Sequence, residues 1–181
     1  MSEIITVAGR SVELRPVSGK MLTEIQISKR RKLMKEDARL TPPTYTTKNV
    51  AGDEETFPHD ETTLETDEDK AAWEEYQQAL NELEIEIASV TNSYVISEGV
   101  VIGDIPDEWF EKREWLGLDT PENRLDRRLL YIETEILTTQ EDMIHALSAI
   151  MHLTASGSKE MEERLADLDE IFRRALEGGE A

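Results

Sequence analysis

The chain has 181 residues and a mass of 20.7 kDa, enough for one medium domain or one domain with appendages. Apolar residues are 38 % and charged residues 33 %, against about 45–50 % and about 25 % in an ordinary soluble domain, so a modest core and a heavily charged surface are expected. Forty acids against twenty bases give a net charge of −20, and the lack of cysteine excludes disulfides, thiolate metal sites and a cysteine nucleophile.

No apolar run approaches the roughly 18 residues of a membrane span, and Met1-Ser2-Glu3 opens no basic and apolar leader. A soluble, cytoplasmic protein is the expectation. Ile4-Ile5-Thr6-Val7 and Val12-Glu13-Leu14 are β-rich and flank Ala8-Gly9-Arg10-Ser11, where Gly9 suits a positive φ. An isolated hairpin is marginally stable, so this one has to pack on something or pair with another chain. Pro16 ends the second strand, and Ser18 is placed to cap a helix over 19–38 with Met21, Leu22, Ile25, Leu33 and Met34 on its apolar side.

That helix carries the basic run Lys29-Arg30-Arg31-Lys32, with Lys35 close by. Residues 1–40 have a net charge of +4, whereas residues 51–90 have −13 and residues 91–181 have −12. A nucleic-acid site needs its basic patch on a basic or neutral surface, and here the surplus would repel phosphate. The run reads instead as the polar face of a helix that pairs with the acidic half of the chain.

Residues 39–65 read as a long irregular segment: Pro42-Pro43 stops a helix, and Ala51-Gly52-Asp53 and Phe57-Pro58-His59-Asp60 are turn-like. Tyr45, Val50, Phe57 and Leu64 are the residues able to pin it. Next, Thr66 with Asp69 resembles a capping box with acids crowding the first turn. Trp73, Tyr76, Leu80, Leu83, Ile87, Val90 and Tyr94 then recur as an a/d heptad. The spacing predicts a helix from 67 to about 97, ending near Gly99, which needs a partner from this chain or another.

The C-terminal half predicts shorter helices. One starts at Ile105-Pro106, runs through Trp109, Phe110 and Leu116, and closes at Gly117. A second opens at Pro121 and presents Leu125, Leu129, Ile132 and Ile136 to about 137. A third is capped by Thr139 with Asp142 and turns Met143, Ile144, Leu147, Ile150 and Met151 inward. After a break at Ala155-Ser156-Gly157-Ser158, a last helix carries Met161, Leu165, Leu168 and Phe172 and ends at Gly178-Gly179. The fold class is mainly α, a helical bundle-like body with a small N-terminal β-hairpin and a long irregular segment. Its expected organisation is 1–40 as hairpin plus first helix, 41–65 as irregular acidic loop and 66–181 as helical body, together one domain.

Chemistry is sparse. There is no Gly-rich phosphate loop, no HExxH and no GxSxG, and no nucleophile or matched acid–base pair stands out. No catalytic residue, metal site or cofactor is assigned. Glu141, His145 and His152 share one helical side and form a conceivable metal set, but boundary positions beside an apolar face explain them better. Asp53-Glu54-Glu55 and Asp67-Glu68-Asp69 lack the alternating ligands and central glycine of an EF-hand loop. The aromatics Trp73, Tyr76, Trp109, Phe110 and Trp115 are the candidate partner-binding residues, because Trp and Tyr anchor interfaces. Positions 109, 110 and 115 cannot all face one way on one helix. A core role is the competing explanation for them.

The layout resembles the tail assembly chaperones of long-tailed bacteriophages. The resemblance is carried by Ile4-Ile5-Thr6-Val7-Ala8-Gly9-Arg10-Ser11-Val12-Glu13-Leu14-Arg15-Pro16, by Pro42-Pro43-Thr44-Tyr45-Thr46 and Val50 to Asp60 with Trp73-Glu74-Glu75-Tyr76, and by Ile105-Pro106-Asp107-Glu108-Trp109 with the helices after it. It covers most of the chain. It implies a non-enzymatic role in the host cell cytoplasm: binding the tape measure protein, keeping it soluble during tail morphogenesis and helping to recruit the tail tube protein. Self-association through the hairpin is compatible with it, and neither nucleic acid nor membrane is an expected partner. It also implies a longer frameshifted product, with slippage expected near Glu177-Gly178-Gly179-Glu180. Two other readings stand beside it. One is a virion structural or scaffold component of neck or tail; the other is an acidic nucleic-acid mimic, suggested by the charge of 51–90.

Overall fold

The structure is a computed structural model that describes residues 2–7 and 9–156. The expected helix with Met161, Leu165, Leu168 and Phe172, its Gly178-Gly179 end and the slippage region lie outside the described residues. Five α-helices and two small antiparallel hairpins make up the described chain, so the fold is mainly α with an N-terminal β-hairpin. The chain divides into two units, one formed by Met1–Thr23 with the chain from Thr91 onward, the other by Glu24–Val90.

In the first unit, β1 (Glu3–Val7) pairs with β2 (Arg10–Leu14) in the register Glu3↔Leu14 to Val7↔Arg10, and Gly9 turns the chain at φ +78°. Ile5, Val7, Val12 and Leu14 point inward, while Ile4, Thr6 and Glu13 face out, the two-residue alternation of a half-covered sheet. The hairpin finds its partners within the chain. Leu14 bridges Val100, the Val101 N–H donates to the Glu13 carbonyl at 2.9 Å, and the Arg15 N–H donates to the Gly99 carbonyl at 2.8 Å. Its apolar face joins Val95, Ile96, Ile132, Leu137, Leu147 and Ile150 in one core.

The helices of this unit start and stop as local chemistry dictates. Ser18 Oγ accepts from the Met21 N–H at 3.3 Å at the start of α1 (Gly19–Glu36), and Leu22 is its buried residue. The last turn of α2 (Asp67–Gly99) has its open carbonyls met by arginines. Arg128 donates to the Ser97 carbonyl and, at 2.7 Å, to that of Val100, and Arg15 Nε donates to Glu98 O at 2.8 Å. Cations at a helix C-terminus also oppose the negative end of its dipole. Gly117, at φ +66°, closes α3 (Asp107–Trp115).

The next helix differs from expectation at its start. α4 is Arg124–Tyr131, and its cap is Asn123, whose Oδ1 accepts from the Leu125 N–H at 2.8 Å; Pro121 lies ahead of it in the loop. A π-helical turn (Ile132–Ile136) continues it, which swings Ile132 fully inside while Leu125 stays on the surface. Thr139 Oγ1 accepts from the Asp142 N–H at 3.1 Å to start α5 (Gln140–Ala155). That helix buries Ala146, Leu147, Ile150 and Ala155, leaving Met143, Ile144 and Met151 half-covered.

In the second unit, the later part of α1 and the earlier part of α2 pack through Leu33 and Leu40 against Ala79, Leu80, Leu83 and Ile87. Two members of the basic run pair with the acidic half, Lys29 with Glu86 at 2.8 Å and Arg30 with Glu84 at 2.7 Å; Lys32 reaches Glu36 on its own helix at 4.0 Å, and Arg39, beyond the run, pairs with Glu82 at 2.9 Å. A 3-10 turn (Ala38–Leu40), capped by Asp37, places Leu40 and Arg39 for these contacts.

The irregular segment expected over 39–65 is corrected by the structure. It contains a second hairpin, β3 (Thr44–Lys48) with β4 (Glu54–Pro58), in the register Thr44↔Pro58 to Lys48↔Glu54. Its turn is built by Asn49, whose Oδ1 accepts from the N–H groups of Ala51 at 3.0 Å and Asp53 at 2.9 Å, with Gly52 at φ +90°. Cross-strand pairs hold the ladder, Tyr45 with Phe57 at 6.0 Å between centroids and Thr46 with Thr56 at 3.2 Å. His59 is buried just beyond it, against the Tyr45 ring at 5.1 Å, Thr63 Oγ1 at 3.2 Å and Asp69 Oδ1 at 3.5 Å. Asp69 closes the capping box with Thr66, which starts α2.

The heptad along α2 also shifts. Ala79, Leu83, Ile87, Thr91 and Val95 form the buried line, four residues apart, and Val90 is exposed. At 3.6 residues per turn each four-residue step rotates by about 40°, so this buried line winds around the helix instead of holding the fixed a/d face.

Candidate functional site

The five aromatic residues singled out by sequence fall in different places. Trp73 and Tyr76 stack at 5.6 Å on α2 in the second unit and are half-buried. The other three are on α3 in the first unit and face three ways. Trp109 is only 6 % exposed; its ring meets Phe110 edge-on at 5.1 Å and Tyr131 edge-on at 5.5 Å. The Arg113 guanidinium lies 5.1 Å above that ring. The structure places Trp109 as a core residue that locks α3 onto α4.

Trp115 is the opposite case, 84 % exposed at the last position of α3. The chain then passes through Gly117, and Leu116 and Leu118 are 49 % and 48 % exposed beside it. Arg113 fixes this turn, donating to the Asp119 carbonyl and lying within 3.4 Å of Thr120 Oγ1. One tryptophan and two leucines thus crowd a short, pinned corner of the surface. A large apolar side chain left in water loses the roughly 1.5–3 kcal/mol its burial would contribute, so such a corner is a natural contact surface. Sequence reasoning identified Trp115 but took Leu116 as part of the helix face and gave Leu118 no role. Leu118 follows the chain reversal at Gly117, where φ is positive, and helical periodicity does not group it with Trp115 and Leu116.

A second feature of this unit is a cleft of about 270 Å³ between the 102–105 stretch, Phe110 and α4. Phe110, the fifth candidate, is half-buried and forms part of its wall. Arg124, Arg127 and Arg128 bring three guanidinium groups to it. Burial holds Arg128 below the usual arginine range, Glu98 opposes that shift, and the neighbouring Arg15 and Arg124 charges add to it. No sequence signal pointed to these arginines, because three bases in an acidic helix read as ordinary surface.

The histidines and acid clusters go elsewhere. His145 and His152 are exposed on α5, and His59 is held by Thr63 and Asp69. Among the described residues no group of three or more His, Asp or Glu side chains converges as metal ligands, and no helix is long and apolar enough to cross a membrane. Compared with known proteins, the chain matches no family model, no curated protein and no solved structure.

Proposed function

We propose that the chain is a non-enzymatic assembly chaperone of a long-tailed bacteriophage, acting in the host cytoplasm, that binds the tape measure protein and keeps it soluble during tail morphogenesis. The observation that carries this reading is the exposed corner of Trp115, Leu116 and Leu118 on a molecule of net charge −20. An apolar corner of this kind suits the apolar stripe of a long partner helix, and the surrounding negative charge keeps the resulting complex self-repelling and in solution. The layout of hairpin, basic helix and acidic helix supports the same reading through its resemblance to such chaperones.

The test is co-expression with the long helical protein encoded in the same gene cluster, read by partner solubility and co-purification. Rescue that is lost on Trp115→Ala supports the proposal, provided the variant keeps its thermal transition. An insoluble partner with nothing co-purifying refutes it, and recovery of the protein from purified particles assigns it to the virion structure instead.

A further inference from the structure

We propose that the cleft between the 102–105 stretch and α4 binds a carboxylate carried next to an apolar group. The site is independent of the chaperone reading. Its polar side is cationic in a strongly acidic molecule, formed by Arg124, Arg127 and Arg128. Its apolar side is Ile102, Ile105 and Phe110.

The three arginines are unequally used. Arg128 gives Nε and Nη2 to the Ser97 and Val100 carbonyls and adds its charge to the cleft. Arg127 gives Nη2 to the Glu122 carbonyl at 2.9 Å, while its Nε–H is buried with no hydrogen-bond partner. The remaining Arg127 donors and its charge therefore stand on the cleft wall, with no acidic partner of their own among the described residues. Arg124 makes no ion pair or side-chain hydrogen bond among the described residues. Asp104 also lines the cleft, yet it pairs with none of them.

The ligand's chemistry follows from this lining. A planar carboxylate matches the paired N–H groups of a guanidinium. Its single charge meets less repulsion from Asp104 and from the net −20 of the chain than a dianionic phosphate does. The isoleucines and Phe110 call for hydrocarbon beside the anion. Two sources offer that combination, a small branched organic acid and the C-terminal residue of a peptide ending in leucine.

The experiment is a titration of the ¹⁵N-labelled full chain, following backbone amides of 102–105 and the arginine Nε–H signals. The probes are isovalerate, acetate, inorganic phosphate, and acetyl-Ala-Ala-Leu with a free or an amidated C-terminus, at constant ionic strength. Isovalerate is expected to bind about fivefold or more tightly than acetate, because its branched tail is buried. Arg124→Gln, on an exposed side chain that leaves the fold intact, is expected to weaken isovalerate binding by roughly fivefold or more. If the free peptide binds more tightly than isovalerate and the amide is silent, the source is a chain terminus; if isovalerate binds as well as the peptide, it is a small acid. Tighter binding of phosphate than isovalerate, equal shifts with sodium chloride, or an unchanged R124Q response would each overturn the proposal.

Discussion

Gly99 is the point where the end of α2 touches α5, and adding a single methyl group there tests the packing of the first unit. A Cβ at position 99 would lie 2.6 Å from both Ile150 Cδ1 and Ile150 Cγ2 and 2.9 Å from Cγ1. Ile150 is fully buried, so its side chain has little room to move away from the methyl. Overpacking of this kind costs about 1–3 kcal/mol. Replacing glycine by alanine inside a helix recovers about 0.5–1 kcal/mol, and less at the last helical residue. The balance is a net loss of about 1–2 kcal/mol for Gly99→Ala.

The double-mutant cycle makes the reasoning refutable. Ile150→Ala alone removes a buried side chain and is expected to cost about 2–5 kcal/mol. In the double variant the new methyl enters the space that Ile150 leaves, so the two losses are sub-additive by about 1–2 kcal/mol. Urea unfolding, followed by far-UV circular dichroism and by tryptophan fluorescence, measures all four corners where the two probes coincide. A Gly99→Ala protein as stable as the parent, or a strictly additive cycle, refutes the close-approach argument.

Three further perturbations probe other supports. Arg128→Met keeps the aliphatic stem but strips the Ser97 and Val100 carbonyls of their donors, and about 2 kcal/mol of stability should be lost in the same urea assay. Thr66→Ala removes the cap of α2 and should cost about 0.5–2 kcal/mol, read as a drop in thermal midpoint. The Thr66 hydroxyl and backbone N–H hold the Asp69 carboxyl below the usual carboxylate range, opposed by desolvation and helped slightly by His59. Its folded pKa is below its unfolded one, so its stabilisation is present above about pH 4 and fades as pH falls through the lowered value. The stability gap between the parent and Asp69→Asn should therefore narrow as pH falls below the ordinary carboxylate range in an acid-unfolding series.

What was legible in the sequence followed from local chemistry. Ser18, Thr66, Thr139 and Gly117 announced helix ends because a hydroxyl cap or a positive φ acts within one turn of chain. The first hairpin was legible because its inward residues alternate with polar ones. The second hairpin has no such signal: its strands are almost wholly exposed, and cross-strand pairs and an Asn49-centred turn hold it. The α2 heptad was legible as a helix but not in its facing, because its inward row turns with the helix. Of the candidate site, Trp115 could be named, but its separation from Trp109 depends on which side of α3 meets Tyr131. The arginine cleft depends on the path of residues 102–105, and no periodicity encodes that path.

The pairing of the charges bears on which functional reading is better supported. A nucleic-acid mimic needs its carboxylates free and regularly displayed. Here Glu82, Glu84 and Glu86 are matched by Arg39, Arg30 and Lys29, on the very stretch where the acidic surplus is greatest. Each exposed pair contributes only about 0.2–1 kcal/mol, so these pairs do more to set the register of α1 against α2 than to stabilise it. In the proposed role, the acidic surplus would act on the solubility of a complex through self-repulsion and contribute little to the contact itself. The contact in that role would come from apolar surface, and among the described residues the largest exposed aromatic side chain is Trp115, with its two leucine neighbours. Association through that corner should hold or strengthen as salt rises, whereas binding through a carboxylate array would weaken steeply.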